Sequence, residues 1–371
     1  MKGKHSKKNI IPLAEPSLSG NELRYISSCV RSGWISSLGG YVGKFEKAFS
    51  RYCGAKYGVS VSSGTAALHL ALLAMGVRSG HEVIVPSLTF VATANAALYT
   101  GAKPVFVDSE RTTWNMDVGK IEEKINSKTK AIIAVHLYGH PCDMDPILKI
   151  AGKHGIAVIE DAAEAHGAEY KGRKAGSLGD IACFSFYGNK IITTGEGGMC
   201  LTNNKRLAEK IELLKDHGMS KKRRYYHPLL GYNYRITNLQ SAIGLAQLER
   251  IDKMVMIKRR NAGLYNLLLN GKSGITSQRE MPWSESAYWM YSILISKNCR
   301  ITRDRLMKKL REKGIDTRPF FIPLHKMPYF KSGSKLPVAE DLSKRGINLP
   351  SSVTLKEREI EFIAKTIRKL C

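Results

Sequence analysis

Lys190 stands at the end of Phe184-Ser185-Phe186-Tyr187-Gly188-Asn189-Lys190, and Thr194-Gly195-Glu196-Gly197-Gly198 follows closely. Upstream, an apolar run ends in Glu160-Asp161-Ala162-Ala163-Glu164. An amine, a carboxylate at a strand end and a hydroxyl near the amine are the parts needed to hold pyridoxal 5'-phosphate (PLP). The amine takes the aldehyde as a Schiff base. The carboxylate keeps the pyridine nitrogen protonated, which makes the ring an electron sink. The combination points to amino-group chemistry. Taken alone, Lys190 reads as a solvated surface lysine after a Gly-Asn turn, and an N-cap after a strand is the plain alternative for Asp161; the surrounding motifs favour catalysis.

These residues need a frame. Val83 to Val85, Val105 to Val107, Ala131 to Val135, Ala157 to Ile159 and Ile181 to Phe184 are continuous apolar runs without alternation. Such runs suit strands covered on both faces. Helical patterns over Thr89 to Tyr99, Asp117 to Ile125 and Asp143 to His154 separate several of them. This is βαβ logic, so a mostly parallel sheet with helices on both sides is predicted. Ser87, Asp108, His136, Asp161 and Ser185 cluster where the runs stop, on the edge where open α/β sheets bind ligands. Thr65 to Met75 is apolar nearly all round and reads as a buried helix. Ser62, Ser63 and Gly64 precede it, and a helix start offers free N–H groups to an anion. An ordinary N-cap has the same look.

Further along, Thr237 to Leu269 reads as two helices, Tyr288 to Ile295 as a strand, and Arg303 to Lys313 as a helix closed by Gly314. Glu357 to Leu370 reads as a last amphipathic helix. A large cofactor-binding domain over residues 15–250 and a small α/β domain over 251–371, joined by part of the segment 1–14, are expected.

Of 371 residues, 43% are hydrophobic, which places the chain among globular proteins. No apolar run has the length of a membrane span. The basic first nine residues lack the apolar core of a signal peptide, so a cytoplasmic protein is expected. The seven cysteines are scattered without metal-ligand spacing, so free thiols and no metal are expected; Cys183 and Cys200 read as core residues. The net charge is +26, but the basic residues are spread along the chain. The densest run, Lys221 to Arg224, is short, which argues against a nucleic-acid role and for a solvated surface. A positive field also suits an anionic small-molecule substrate.

The stretches Ser32 to Ser37, Ser63 to Leu68, Pro86 to Ala92, Glu160 to Ala165, Gly188 to Lys190, Gly195 to Gly198 and Gly231 to Arg235 together resemble the PLP-dependent sugar aminotransferases of the DegT/DnrJ/EryC1/StrS family. The resemblance spans nearly the whole chain. It implies an aspartate-aminotransferase-like fold (PLP fold type I) and a homodimer with sites at the subunit interface. Phe184 to Met199, Tyr288 to Tyr291 and Asp316 to His325 resemble the subfamily of GDP-perosamine synthases, which implies transfer of an amino group from L-glutamate to C4 of GDP-4-keto-6-deoxy-D-mannose, with 2-oxoglutarate released. Enzymes for UDP-linked 4-keto-6-deoxy sugars or an 8-keto octulosonate share much of the pattern. A non-catalytic PLP-binding regulator is a reading of another class, and intact Lys190 and Asp161 argue against it.

The resemblance implies roles. Lys190 would hold the aldehyde and, once released, move the proton between substrate carbon and cofactor. Asp161 would pair with the pyridinium nitrogen. Glu164 falls where the family often has glutamine, facing the phenolic oxygen. Phe90 matches the aromatic that stacks on the ring, or is a core aromatic at a helix start. Ser63, Gly64, Thr65 and Ser185 match phosphate ligands. Asn233 matches a residue reaching the neighbouring subunit's phosphate. Arg235 reads equally as a surface charge. His166 reads as a structural or a site histidine. Arg318 and His325 suit a pyrophosphate or a structural role. Trp34, Ser36 and Tyr187 match positions on the substrate side.

Overall fold

The continuous apolar runs become strands at the centre of the molecule. The computed structural model describes residues 10–271, 274–330 and 333–371. The basic first nine residues, and with them most of the segment expected to accompany the small domain, lie outside the described residues. In chain order the strands of the first half are β1 (Tyr57–Val61), β2 (Glu82–Pro86), β3 (Lys103–Val107), β4 (Thr129–Val135), β5 (Ala157–Asp161), the short β6 (Glu169–Tyr170) and β7 (Arg173–Lys174), β8 (Ile181–Ser185) and β9 (Gly198–Thr202). Later come β10 (Ile275–Ser277), β11 (Ser284–Glu285), β12 (Tyr291–Ile295), β13 (Arg318–Pro319) and β14 (Gly346–Leu349).

Seven strands form the main sheet in the order β1-β9-β8-β5-β4-β2-β3. From β3 to β8 every pairing is parallel. β9 runs antiparallel to both β8 and β1. The mostly parallel α/β sheet is therefore as expected, with one reversed strand near its edge. Ala131, Ile132, Ile133 and Ala134 are all fully buried, which is why β4 shows no alternation. Helix Gly64–Ala74 is apolar all round because eight of its residues are buried against the sheet. Its N-cap Ser63 accepts the Ala66 N–H through Oγ at 3.1 Å. Cys183 and Cys200 face each other across β8 and β9 in this core.

The second half forms an antiparallel sheet, β10-β12-β14-β13, with its own apolar cluster. Helix Glu357–Leu370 covers it by burying Ile360, Ile363, Ala364 and Ile367, a stripe at helical spacing. Helices Ile251–Leu269 and Arg303–Glu312 contribute Tyr265 and Leu306 to the same cluster. Ile11 joins it through backbone bonds with Gly314 and Asp316.

One helix expectation is corrected. Residues 117–125 form two three-residue 3-10 turns, Val118–Lys120 and Glu122–Lys124. The Asp117 side chain takes the Gly119 N–H, and only Ile121 of this stretch is fully buried. A segment that buries so little apolar surface has nothing to stabilise a longer helix. Among the described residues no helix is long and apolar enough to cross a membrane.

Candidate active site

The strand ends of β5 and β8 and the start of helix Gly64–Ala74 open onto one cavity of about 570 Å³. Ser63, Gly64, Thr65, Phe90, Asp161, Glu164, Ser185, Tyr187, Lys190 and Arg318 all line it. Most of the residues singled out from sequence therefore meet in one place.

Asp161 ends β5 and is 5% exposed. Its Oδ2 accepts from Thr93 Oγ1 at 2.7 Å and its Oδ1 from the Ala163 N–H at 3.2 Å. Among the described residues it has no ion pair. Burial pushes its pKa above the usual carboxylate range, against these two bonds and the charge of Lys190. A buried carboxylate with only neutral donors is short of one cation. A pyridinium N–H would supply it.

Lys190 follows the turn after β8, where its N–H donates to the Tyr187 carbonyl at 2.9 Å. Its Nζ lies 4.0 Å from Glu164 Oε1 and 3.9 Å from the centre of the Trp289 ring. Burial holds its pKa below the ordinary lysine value, while Glu164 and Asp161 oppose that. Glu164 Oε2 accepts the Tyr138 N–H at 2.7 Å. Burial pushes the Glu164 carboxyl up to about 7, opposed by the charge of Lys190. The depressed amine and the raised carboxyl lie closer in acidity than a free lysine and glutamate, as acid–base pairs at reacting centres do.

The helix start forms the third wall. Ser63 satisfies the N–H groups of Ala66 and Ala67, while those of Gly64 and Thr65 have no carbonyl partner within the helix. A Cβ on Gly64 would sit 2.7 Å from Ser185 Cβ. One on Gly198 would meet the Ser63 carbonyl at 2.4 Å. Both positions require glycine for this close approach. With Thr65 and Ser185 hydroxyls beside it, the wall is a cradle for a dianion. Phe90 is 55% exposed and lines the cavity in contact with Phe321, so one ring face is free to stack. The donor set fits PLP: an amine, a carboxylate, an aromatic face and an anion cradle at separate walls.

Four site expectations fall elsewhere in this chain. His325 is buried, and its imidazole is taken up by Ser87 Oγ at 2.7 Å and Glu340 at 3.0 Å, so it does not line the cavity. Trp34 and Ser36 lie outside the cavity because their carbonyls are tied to Asn238 at the start of helix Asn238–Leu248. Asn233 is exposed and its backbone bridges to Asp216. Arg235 also pairs with Asp216. His166 is fully buried among Phe49, Phe184 and Phe186, and burial pushes its pKa down to about 3.

Three of the five polar strand tips are likewise structural. Ser87 anchors the 324–325 turn. Asp108 accepts the N–H groups of Val338 and Ala339 at the start of helix Pro337–Arg345. His136 pairs with fully buried Glu160 at 3.0 Å, and Glu160 also accepts from Gly176, Leu178 and Gly179. Conversely, Thr89, Asn189, Glu196, Trp289 and Phe321 line the cavity without having been given a role. Each lay within a stretch that carries the family resemblance, which was the signal that could have found it.

A family model described as "DegT/DnrJ/EryC1/StrS aminotransferase family" matches residues 16–368. The GDP-perosamine synthase of Caulobacter vibrioides is 49% identical over 95% of this chain and 96% of its own. That of Escherichia coli O157:H7 is 49% identical over 97% and 98%. Among solved structures, DesV of S. venezuelae, in complex with a ketimine intermediate, superposes with a TM-score of 0.89 at 33% identity over 94% of each chain. Spr1654 of Streptococcus pneumoniae in its PMP form gives 0.92 at 28% identity over 97% of each chain, and its PLP form also gives 0.92.

Proposed function

Because the chain belongs to the DegT/DnrJ/EryC1/StrS aminotransferase family and is a PLP-dependent enzyme, we propose that it moves an amino group from L-glutamate to C4 of GDP-4-keto-6-deoxy-D-mannose, forming GDP-perosamine. The observation that carries this substrate choice is the 49% identity with two GDP-perosamine synthases over nearly the full chain. The cavity supports the chemistry. When bound, PLP supplies the electron sink for the amino transfer.

The residues have separate tasks. Lys190 would hold the cofactor's aldehyde and, when free, carry the proton to and from the substrate carbon. Asp161 would hold the pyridine nitrogen protonated. Glu164 would face the phenolic oxygen, Phe90 would stack on the ring, and Ser63, Gly64, Thr65 and Ser185 would take the phosphate. Arg318, at the cavity and without an ion pair among the described residues, would meet an anionic group of the substrate, and Tyr187, on the same cavity's wall, would line the substrate side.

The homodimer belongs to this reading. Asn233, exposed and away from its own chain's cavity, would reach the phosphate of a neighbouring copy's cofactor, as the family resemblance implies. The same reading makes the protein a cytoplasmic biosynthetic enzyme.

The test mixes PLP-loaded protein with L-glutamate and GDP-4-keto-6-deoxy-D-mannose and follows the visible spectrum and the sugar. A GDP-4-amino sugar supports the reading. A spectral response to glutamate without this product moves the substrate to a UDP-linked or octulosonate ketone. No response to glutamate sinks the donor assignment. Lys190→Ala is expected to abolish both signals, and a variant that kept them would remove Lys190 from the chemistry.

A further inference from the structure

Trp289 is 3% exposed yet lines the cavity, with the Lys190 ammonium 3.9 Å above its ring centre. Its position is heavily determined. The indole N–H donates to the Asn189 carbonyl at 2.8 Å, tying the ring to the residue before Lys190. Its ring stacks with Tyr138, whose N–H holds Glu164. Tyr288, just before it, has φ 45°, a left-handed conformation unusual for a bulky residue. Strain of this kind persists only where the surroundings over-determine it.

The surroundings include a buried lysine. Lys258, on helix Ile251–Leu269, is 6% exposed and has no carboxylate partner among the described residues. Its Nζ donates to the carbonyls of Ser351 at 2.6 Å, Trp289 at 2.9 Å and Tyr288 at 3.5 Å. Burial without a counter-charge lowers its pKa to about 7, so it titrates within the pH series below, and its amine hydrogen bonds serve the backbone they reach. That backbone carries Trp289.

We propose that Trp289 is a catalytic residue, whose indole face receives the Lys190 ammonium whenever that amine is free, and that Lys258 is the positioning residue that fixes the indole there. The proposal rests on Lys190 being the amine that holds the cofactor. An ammonium over a desolvated indole is attracted by the ring quadrupole. That attraction favours the charged form and so opposes the burial that lowers the Lys190 pKa. Glu164, Asp161, His166 and Arg318 also face Lys190, and all are kept in the variants below.

Full-length protein stripped of cofactor is given PLP across a pH series, and the rate of appearance of the bound-cofactor absorbance is recorded. Trp289→Leu is expected to move the half-maximal rate about one pH unit lower, and Trp289→Phe by less. Lys258→Met is expected to move it in the same direction but to add nothing in a Trp289→Leu background. A merely structural lysine would lower the melting temperature in both backgrounds and leave the profile in place. An unmoved profile in folded Trp289→Leu, or in Trp289→Phe should the former not fold, overturns the proposal. Lys190→Arg separates the two layers: if it still captures PLP with the same absorbance, the underlying assignment of Lys190 fails instead.

Discussion

Asp161→Asn is expected to have effects of opposite sign on the fold and on the reaction. The carboxylate is buried and receives only Thr93 Oγ1 and the Ala163 N–H. Its folded pKa is raised by burial. A raised carboxyl contributes stability that is fully present at low pH and lost as pH rises through the folded value. Above that folded value the ionised, buried group weakens the cofactor-free fold. Asparagine keeps one oxygen for the Ala163 N–H, turns its NH2 to the Thr93 hydroxyl, which can rotate to accept, and removes the charge. The cofactor-free variant should melt at the same or a higher temperature at pH 7–8, with any gain vanishing towards acid. Catalysis should move the other way. Removing one partner of a buried ion pair costs about 3–5 kcal/mol. At about 1.4 kcal/mol per tenfold, that is roughly two to four orders of magnitude in kcat/KM. The assay is calorimetry of cofactor-free protein beside the glutamate half-reaction, read by absorbance. Activity within tenfold of wild type would refute the pairing of Asp161 with the pyridine nitrogen. A large drop in cofactor-free melting temperature would refute the account of its burial.

Glu164→Gln tests the second carboxyl. Because its pKa rises from 4.5 to about 7, cofactor-free wild type should lose up to about 3 kcal/mol across that window as pH rises, and the variant should not; urea midpoints against pH decide it. Glu160→Ala should cost about 3–5 kcal/mol in urea unfolding, since it strands buried His136 and three N–H groups. Gly198→Ala should push on the Ser63 carbonyl and weaken PLP binding at least about tenfold in equilibrium titration, with about 1–3 kcal/mol lost from stability.

The frame and the centre of the site were legible because they follow simple rules. Parallel strands buried on both faces are continuous apolar runs, and β2, β3, β4, β5 and β8 appear where such runs occur. β1 and β9 escaped because Tyr-Gly-Val-Ser-Val and Gly-Met-Cys-Leu-Thr mix small and polar residues into strands buried by their neighbours. Helix Gly40–Cys53 escaped because glycines and tyrosines dilute its apolar stripe, although Phe45 and Phe49 are fully buried. At the site, the meeting of Lys190, Asp161 and the Ser63 to Thr65 turn in one cavity was expected from the strand ends taken together with the family resemblance, since each residue alone also had a structural reading. Lys258 was not, since a lysine in a helix rich in Lys and Arg reads as solvated, and only tertiary packing buries it. Ser87, Asp108 and His136 misled for the opposite reason: a polar residue at a strand tip also serves as an anchor for backbone.

Those anchors bear on how the enzyme can change. The segment carrying Phe321 is riveted to the main sheet by Leu324 N–H on the Ser87 carbonyl, by Ser87 on His325, and by Asp108 on Val338 and Ala339. None of these rivets lines the cavity. Frame and lining are therefore separate trades: substitutions at Phe321, or at nearby Arg318, can re-cut the opening for another sugar while the wall that carries them stays bolted in place.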